Sequence, residues 1–283
     1  MALQPPTSLV LDRIVRVALE EDIARGDVTT ESTVAPDAHG RAAFRARRPL
    51  VLSGLPVIEA VFRRIDPSVQ VVPRASDGDL LGAGEVAAEL VGPARSMLLG
   101  ERVALNFAQR MCGIATLTRA YVDALPEGSR CRVTDTRKTT PGLRALERYA
   151  VRCGGAHNHR EDLSSAVLIK DNHIAAAGGV RAAIEAARAH APHTSRIECE
   201  VDTLAQLDEA LAAGAEVVML DNFDDEAVRR AVRQVAGRAL VEASGNITPE
   251  RVRVLAEAGV DVISAGALTH SAPAADLGLD WLS

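Results

Sequence analysis

Residues 196–202 read RIECEVD, a run in which Arg196, Glu198, Glu200 and Asp202 alternate with Ile197, Cys199 and Val201. A period of two is that of a β-strand with one polar and one apolar face. An open parallel sheet covered by helices needs apolar side chains on both faces. Carboxylates on one side and small apolar groups on the other fit instead the wall of an α/β barrel, with a polar mouth inside and helices outside. Five similar runs surround this one: CRVTDTR (131–137), AVLIKDN (166–172), EVVMLDN (216–222), ALVEASG (239–245) and VDVISAG (260–266). Helical segments separate them. DDEAVRRAVRQVAG puts Val228, Ala231, Val232 and Val235 on one face, and PGLRALERYAVRCGG carries Pro141 at a first-turn position with Gly154 past its end. Strand followed by helix, repeated, predicts parallel strands joined by crossover helices.

The chain before residue 129 has a different texture. Leu11, Ile14, Val15, Ala18 and Leu19 predict an amphipathic helix over 8–21 with Ser8 as N-cap. The runs RAAFRA, LVLSGL, VQVVP and EVAAELVG, punctuated by Gly and Pro, predict a small sheet with a helix over 56–65. A long helix over 93–125, apolar on more than one face, is expected to lie between two layers. The expected class is therefore α/β, with a barrel-like portion following a smaller α/β portion.

Composition limits the function. The 283 residues are 47% hydrophobic and 25% charged, an ordinary globular mixture, with only 2% aromatic residues, so Ala, Val, Leu and Ile must fill the core. No run of about 18 apolar residues occurs, and the first residues lack the pattern of an export signal, which predicts a soluble cytoplasmic protein without membrane contact. Cys112, Cys131, Cys153 and Cys199 have no metal-site spacing and read as reduced thiols. A net charge of −6 argues against nucleic acid as a partner. Locally the sign reverses, because residues 130–160 hold eight basic side chains and only Asp135 and Glu147 as acids. Arg144, Arg148 and Arg152, at helical spacing, read as a solvated helix face. Of the 32 basic residues only Lys138 and Lys170 are lysine, which marks two places where a compact ammonium serves and a planar guanidinium does not.

The polar residues gather at the carboxyl ends of the predicted strands, where α/β folds place their ligands. Arg137, Lys138, His159, Arg160 and Lys170 supply four permanent cations and a histidine, a suitable set for a small dicarboxylate. Glu200 and Asp221 would accept hydrogen bonds from sugar hydroxyls or bind Mg2+ through oxygen. EASGN (242–246) and SAGALTH (264–270) offer backbone N–H groups for a terminal phosphate through Ser244, Gly245 and Gly266, with His270 nearby. Other readings stand beside these. Lys170 suits a Schiff-base lyase. His157 and His159 could share a metal, but no third ligand stands at metal-site spacing. DDEAV (224–228) is better read as a helix cap than as a diphosphate motif.

Ordered motifs run along nearly the whole chain: GDVTT (26–30), ERVALNFAQRMCGIAT (101–116), TRKTTPGLRALERYAVRCGG (136–155), NHR (158–160), LIKDNHI (168–174), ECEVD (198–202), MLDN (219–222), EASGNI (242–247) and SAGALTHSAPAADLGLDW (264–281). Together they resemble the type II phosphoribosyltransferases, specifically the quinolinate-using family. The resemblance implies an α/β sandwich over 1–115, rejoined by 271–283, and an incomplete α/β barrel over 116–270. It implies transfer of phosphoribosyl from phosphoribosyl pyrophosphate to quinolinate with decarboxylation, Mg2+ as cofactor, and a homodimer or larger assembly of dimers with shared sites. By the same resemblance, Arg102 reaches the partner's site, and Arg137, His159, Arg160 and Lys170 hold quinolinate. Lys138, Glu200 and Asp221 bind the pyrophosphate substrate and Mg2+, and Ser244, Gly245, Gly266 and His270 hold the 5′-phosphate. Another acceptor acid is the alternative within the class. Ala156 and Asp162 depart from the family pattern, which has glycine at both places.

Overall fold

The predicted strand and helix alternation takes shape in a computed structural model that describes residues 3–282. In chain order the elements begin with helices α1 (Ser8–Ile23) and α2 (Val28–Thr33), strands β1 (His39–Ala46) and β2 (Leu50–Val51), and helix α3 (Leu55–Ile65). Strands β3 (Gln70–Pro73), β4 (Leu80–Leu81) and β5 (Val86–Pro93), the long helix α4 (Ala94–Asp123), β6 (Arg132–Thr134) and α5 (Arg144–Cys153) follow. Next come β7 (Val167–Ile169), α6 (Asp171–Ala177), α7 (Val180–His190), β8 (Ile197–Val201), α8 (Leu204–Ala212), β9 (Val217–Asp221) and α9 (Asp225–Val235). The chain ends with β10 (Leu240–Ser244), α10 (Pro249–Glu257), β11 (Val262–Ser264), α11 (Ala267–His270) and β12 (Leu277–Leu282).

These elements form two units. One takes the chain up to Arg119, Thr139–Gly155 and the chain from Leu268 onward; the other takes Ala120–Lys138 and Ala156–Ala267. In the first, an antiparallel sheet runs β12-β1-β5-β3, with Arg41 opposite Leu282 and Ala46 opposite Leu277. Its core is aliphatic around Leu50, Leu52, Ile58, Leu90, Met97, Met111 and Ile114, with Phe44 and Phe62 as a tilted ring pair 6.5 Å apart. Asp77 serves three partners in this unit. It accepts from the backbone N–H groups of Gly54 and Leu55 at the start of α3 and from the Tyr149 hydroxyl at 2.9 Å. The Arg110 guanidinium likewise reaches Glu147 at 2.9 Å, so α5 is tied into the first unit at two points.

The second unit is a six-stranded parallel sheet in the order β6-β11-β10-β9-β8-β7. Each strand from β7 to β10 pairs with its successor, and the chain's first strand of the set, β6, pairs with the last, β11. That is the neighbour order of a barrel interrupted between β6 and β7. One residue reaches into the interruption: His157 bridges Thr134, its N–H donating to Val133 O at 2.9 Å. The helices bury Ile184, Leu207, Ala210, Val228, Ala231, Val252 and Leu255, and β8 is buried along its whole length.

Three local expectations need correction. The N-cap of α1 is Thr7, without a side-chain cap bond, and Ser8 is already helical. Helix α5 starts at Arg144, not at Pro141, because a turn closed by Leu143 N–H on Thr140 O comes first. Within α9, Val228, Ala231 and Val235 are buried while Val232 is only half-buried; the DDEAV segment does cap, with the Asp224 carboxylate accepting from Ala227 N at 2.7 Å.

Gly113 in α4 lies where a Cβ would come within 1.9 Å of the Pro273 carbonyl oxygen, a backbone atom that cannot swing aside. We expect Gly113→Ala to lower stability by about 1–3 kcal/mol through overpacking, measured by urea unfolding. An unchanged midpoint would show that the segment carrying Pro273 moves away without cost.

Candidate active site

The site is built on strand ends. Thr136, Arg137, Lys138, His159, Arg160, Leu168, Lys170, Glu200, Met219, Asp221, Ser244 and Ser264 line a cavity of about 340 Å³ in the parallel-sheet unit. Period-two alternation explains the wall: Glu198 and Glu200 share one face of β8, and Glu242 and Ser244 share one face of β10. Parallel register then places Ser244 beside Asp221 and Glu200 beside Met219.

The cationic side is carried by 157–160, the segment at the interrupted edge. Asp135, fully buried just past β6, accepts from His159 N at 2.7 Å and from Asn158 Nδ2 at 2.6 Å. Arg160 extends across and donates to Ala166 O at 3.0 Å. Its pKa is lowered by burial and by the Arg137 charge, with Glu198 opposing. Next to it, Asp162 accepts from Ser164 and Ser165, which turns the loop on itself and lowers the carboxyl to about 2.

His159 does not pair with His157. Its Nε2 lies 3.3 Å from Glu242 and 3.5 Å from Glu198, and its Nδ1 accepts from Arg160 N at 2.8 Å. Burial disfavours a charged ring, but the two carboxylates outweigh it and push His159 up to about 10. A charged ring would also carry a proton on Nδ1, where the Arg160 N–H already donates, so the geometry holds the ring with its proton on Nε2. Burial pushes Glu198 upward, His159 pulls it down, and the Glu242 charge adds to the rise. Among the described residues this is the only His, Cys or carboxylate group of three whose ligand atoms lie within 4.8 Å of one another.

On the acidic side, Lys170 Nζ makes a close ion pair with Glu200. Asp221 accepts from Asn222 Nδ2 at 2.6 Å. Asn222 and Asn246 both have left-handed backbones, and Asn246 Nδ2 donates to Asn222 Oδ1 at 3.2 Å. Gly245, at φ +88°, lies where a Cβ would come within 2.2 Å of that same oxygen, so the interlocked loops demand glycine whatever ligand they meet. Arg251, not singled out in the sequence, clamps both loops by donating to Gly245 O at 2.8 Å and to Phe223 O.

Of the expected site residues, Arg137, Lys138, His159, Arg160, Lys170, Glu200, Asp221 and Ser244 line the cavity; Arg102, Gly245, Gly266 and His270 are not among its lining residues. Arg102 is exposed on α4, Gly266 precedes α11, and His270 ends α11 with Nδ1 2.6 Å from Ser271 Oγ. Asp135, Glu242 and Arg251 were missed. The chemical signal for Asp135 and Glu242 was present, since each is an acid placed inside a β-prone run.

Residues 27–112 match the model of the quinolinate phosphoribosyl transferase N-terminal domain, and 114–280 match that of its C-terminal domain. The chain is 44% identical over 272 residues to a probable nicotinate-nucleotide pyrophosphorylase [carboxylating] of Bacillus subtilis, covering 96% of this chain and 93% of that one. It is 43% identical to the nicotinate-nucleotide pyrophosphorylase [carboxylating] of Mycobacterium leprae, over 94% and 95% of the two chains. Among solved structures, NadC of Streptococcus pyogenes superimposes with a TM-score of 0.93 at 42% identity, covering 99% and 100% of the chains. The nicotinate-nucleotide pyrophosphorylase of Francisella tularensis gives 0.94 at 38% identity, over 100% and 99%.

The Asp135 anchor can be tested directly. Asp135→Ala leaves two half-buried donors without this acceptor and is expected to cost about 1–3 kcal/mol locally. Hydrogen exchange at 157–160 should accelerate while β8–β10 stay protected. Unchanged exchange at His159 would show that the segment is held by other contacts.

Proposed function

The chain belongs to the quinolinate phosphoribosyl transferase family, and from that premise we infer that it joins quinolinate to the ribose of phosphoribosyl pyrophosphate, releasing nicotinate mononucleotide, pyrophosphate and carbon dioxide, a step of NAD synthesis. The observation that carries this reading to the residues is the cavity's lining, which brings Arg137, Lys138, His159 and Arg160 together with the Lys170–Glu200 ion pair, Asp221 and Ser244.

On this reading Arg137 and Arg160 take the two carboxylates of quinolinate, each guanidinium offering a planar fork. His159 lines the cavity beside them, its Nδ1 accepting from Arg160 N. Lys170, paired with Glu200 in this structure, exchanges that partner for an acceptor carboxylate. Lys138 stabilises the departing pyrophosphate as the ribose gains oxocarbenium character, and the pyridine nitrogen forms the bond to the anomeric carbon. The electron pair left at C2 when carbon dioxide departs is stabilised by the quaternary ring nitrogen and then takes a proton. Glu200 and Asp221 offer the hard carboxylate oxygens that suit Mg2+, an ion that commonly binds one or two carboxylates together with substrate phosphates. When bound, Mg2+ supplies charge neutralisation for pyrophosphate departure. Ser244 and the backbone around Gly245 and Gly266, with His270, are assigned to the 5′-phosphate, supported by their positions next to strand ends.

No helix among the described residues is long and apolar enough to cross a membrane, and a cytoplasmic location fits this reading. We assign Arg102, exposed on α4, to the site of a second copy in a homodimer or larger assembly of dimers. Mixing inactive Arg102→Ala and Lys138→Ala chains should then restore part of the activity; no restoration would show that sites are not shared.

The decisive assay supplies quinolinate, phosphoribosyl pyrophosphate and Mg2+ and follows nicotinate mononucleotide and carbon dioxide together. Equal yields are expected, with little product from nicotinate and none after Mg2+ is chelated. Turnover of nicotinate but not quinolinate would overturn the acceptor assignment. Arg160→Ala or Arg137→Ala should weaken the acceptor by on the order of 2–5 kcal/mol, seen as a higher quinolinate KM; an unchanged KM removes that role.

A further inference from the structure

Two acids beneath the cavity have no part in the reaction just described. Glu198 on β8 and Glu242 on β10 are 8% and 3% exposed and do not line the cavity. Glu198 Oε1 and Glu242 Oε1 are both buried without a hydrogen-bond partner among the described residues, so each acid meets its surroundings as a charge. Burying carboxylates is costly, and packing alone would be better served by Leu or Met at the same volume. What the two share is His159, whose Nε2 lies 3.5 Å from Glu198 Oε2 and 3.3 Å from Glu242 Oε1. The ring passes the connection on, since its Nδ1 accepts from Arg160 N, and the charge of Glu198 acts on the Arg160 guanidinium against the repulsion of Arg137. The Arg160 charge acting on Glu198 opposes a second cation among the three groups.

We propose that Glu198 and Glu242 are positioning residues for the acceptor acid: their charges orient the Nε2 side of the His159 ring and supply the buried negative charge against which Arg160 and Arg137 assemble before the dicarboxylate arrives. The proposal rests on the functional reading above and deepens it. A cluster of cations with no ligand repels itself, and a site that waited for quinolinate to gather it would spend binding energy on reorganisation. Two acids placed one layer behind, out of reach of the ligand, balance the cations without competing for them.

Glu242→Gln keeps shape and removes charge. Combined with His159→Gln, it gives a double-mutant cycle, read as the KM for each substrate together with the thermal midpoint. Glu242→Gln is expected to raise the quinolinate KM by about ten-fold or more, leave the phosphoribosyl pyrophosphate KM within about twofold, and not lower the midpoint. In the His159→Gln background it should add little, because it acts through that ring. An unchanged quinolinate KM, both KM values rising together with a lower midpoint, or full additivity with His159→Gln would each overturn the proposal. If Glu242→Gln does not fold, 15N-histidine NMR of the unaltered protein decides: a proton on Nε2 of His159 is expected, and a bare Nε2 overturns it. Absence of quinolinate turnover by the unaltered protein would sink the functional reading instead; turnover with indifferent variants would sink only this inference.

Discussion

Asp135 accepts one hydrogen bond from the backbone of His159 and another from the side chain of Asn158, and the cationic side of the cavity hangs on that buried carboxylate. The sheet ends at β6 on this side, so no neighbouring strand fixes residues 157–160 by a ladder. A bridge at His157 and bonds to Asp135 stand in that place. They aim Arg160 across the gap to Ala166 O, where it meets the strand on the far side of the interruption. An opening in a barrel is ordinarily a loss of backbone pairing; here charge-assisted bonds to one acid replace it and leave the guanidinium at the mouth.

Charge balance is the second constraint. Arg137, Lys138, Arg160 and Lys170 line one cavity, and no protein interior tolerates that many like charges without compensation. The strands provide acids in two positions. Glu200 and Asp221 face the cavity, and Glu200 already pairs with Lys170. Glu198 and Glu242 lie out of the lining, against His159. The alternation that makes β8 a barrel strand thus puts both carboxylates on one face, Glu200 at the cavity and Glu198 one step back along the strand.

Much of this could be read in the chain because strands and helices repeat with opposite periods. RIECEVD and its five companions became β6–β11, and their carboxyl ends met at one cavity. What could not be read depends on contacts between distant positions. Arg251 lies in an ordinary helix start, and only the folded loops show that it ties Gly245 and Phe223 together. Gly245 was assigned to a ligand, yet its positive φ and the 2.2 Å approach to Asn222 already require glycine. HNH suggested a metal pair without a third ligand; His159 found its partners on β8 and β10, far away in sequence. The start of α5 was placed three residues early because a turn at 140–143 uses the same Pro and Gly that open helices elsewhere.

The lysines carry the last step. Thirty of the basic residues are arginine, and both exceptions, Lys138 and Lys170, line the cavity. Arginine suffices wherever a charge packs on a helix, reaches a carbonyl or bridges an acid, as Arg110, Arg160 and Arg251 do. A guanidinium keeps a broad plane of donors that needs matching acceptors, whereas an ammonium turns freely and can pass from one oxygen to another. On the proposed reading Lys170, which already holds a carboxylate of the protein, releases it to a ligand, and Lys138 holds a leaving group and then lets it go, so both trade single oxygens where Arg137 and Arg160 present forks to a carboxylate.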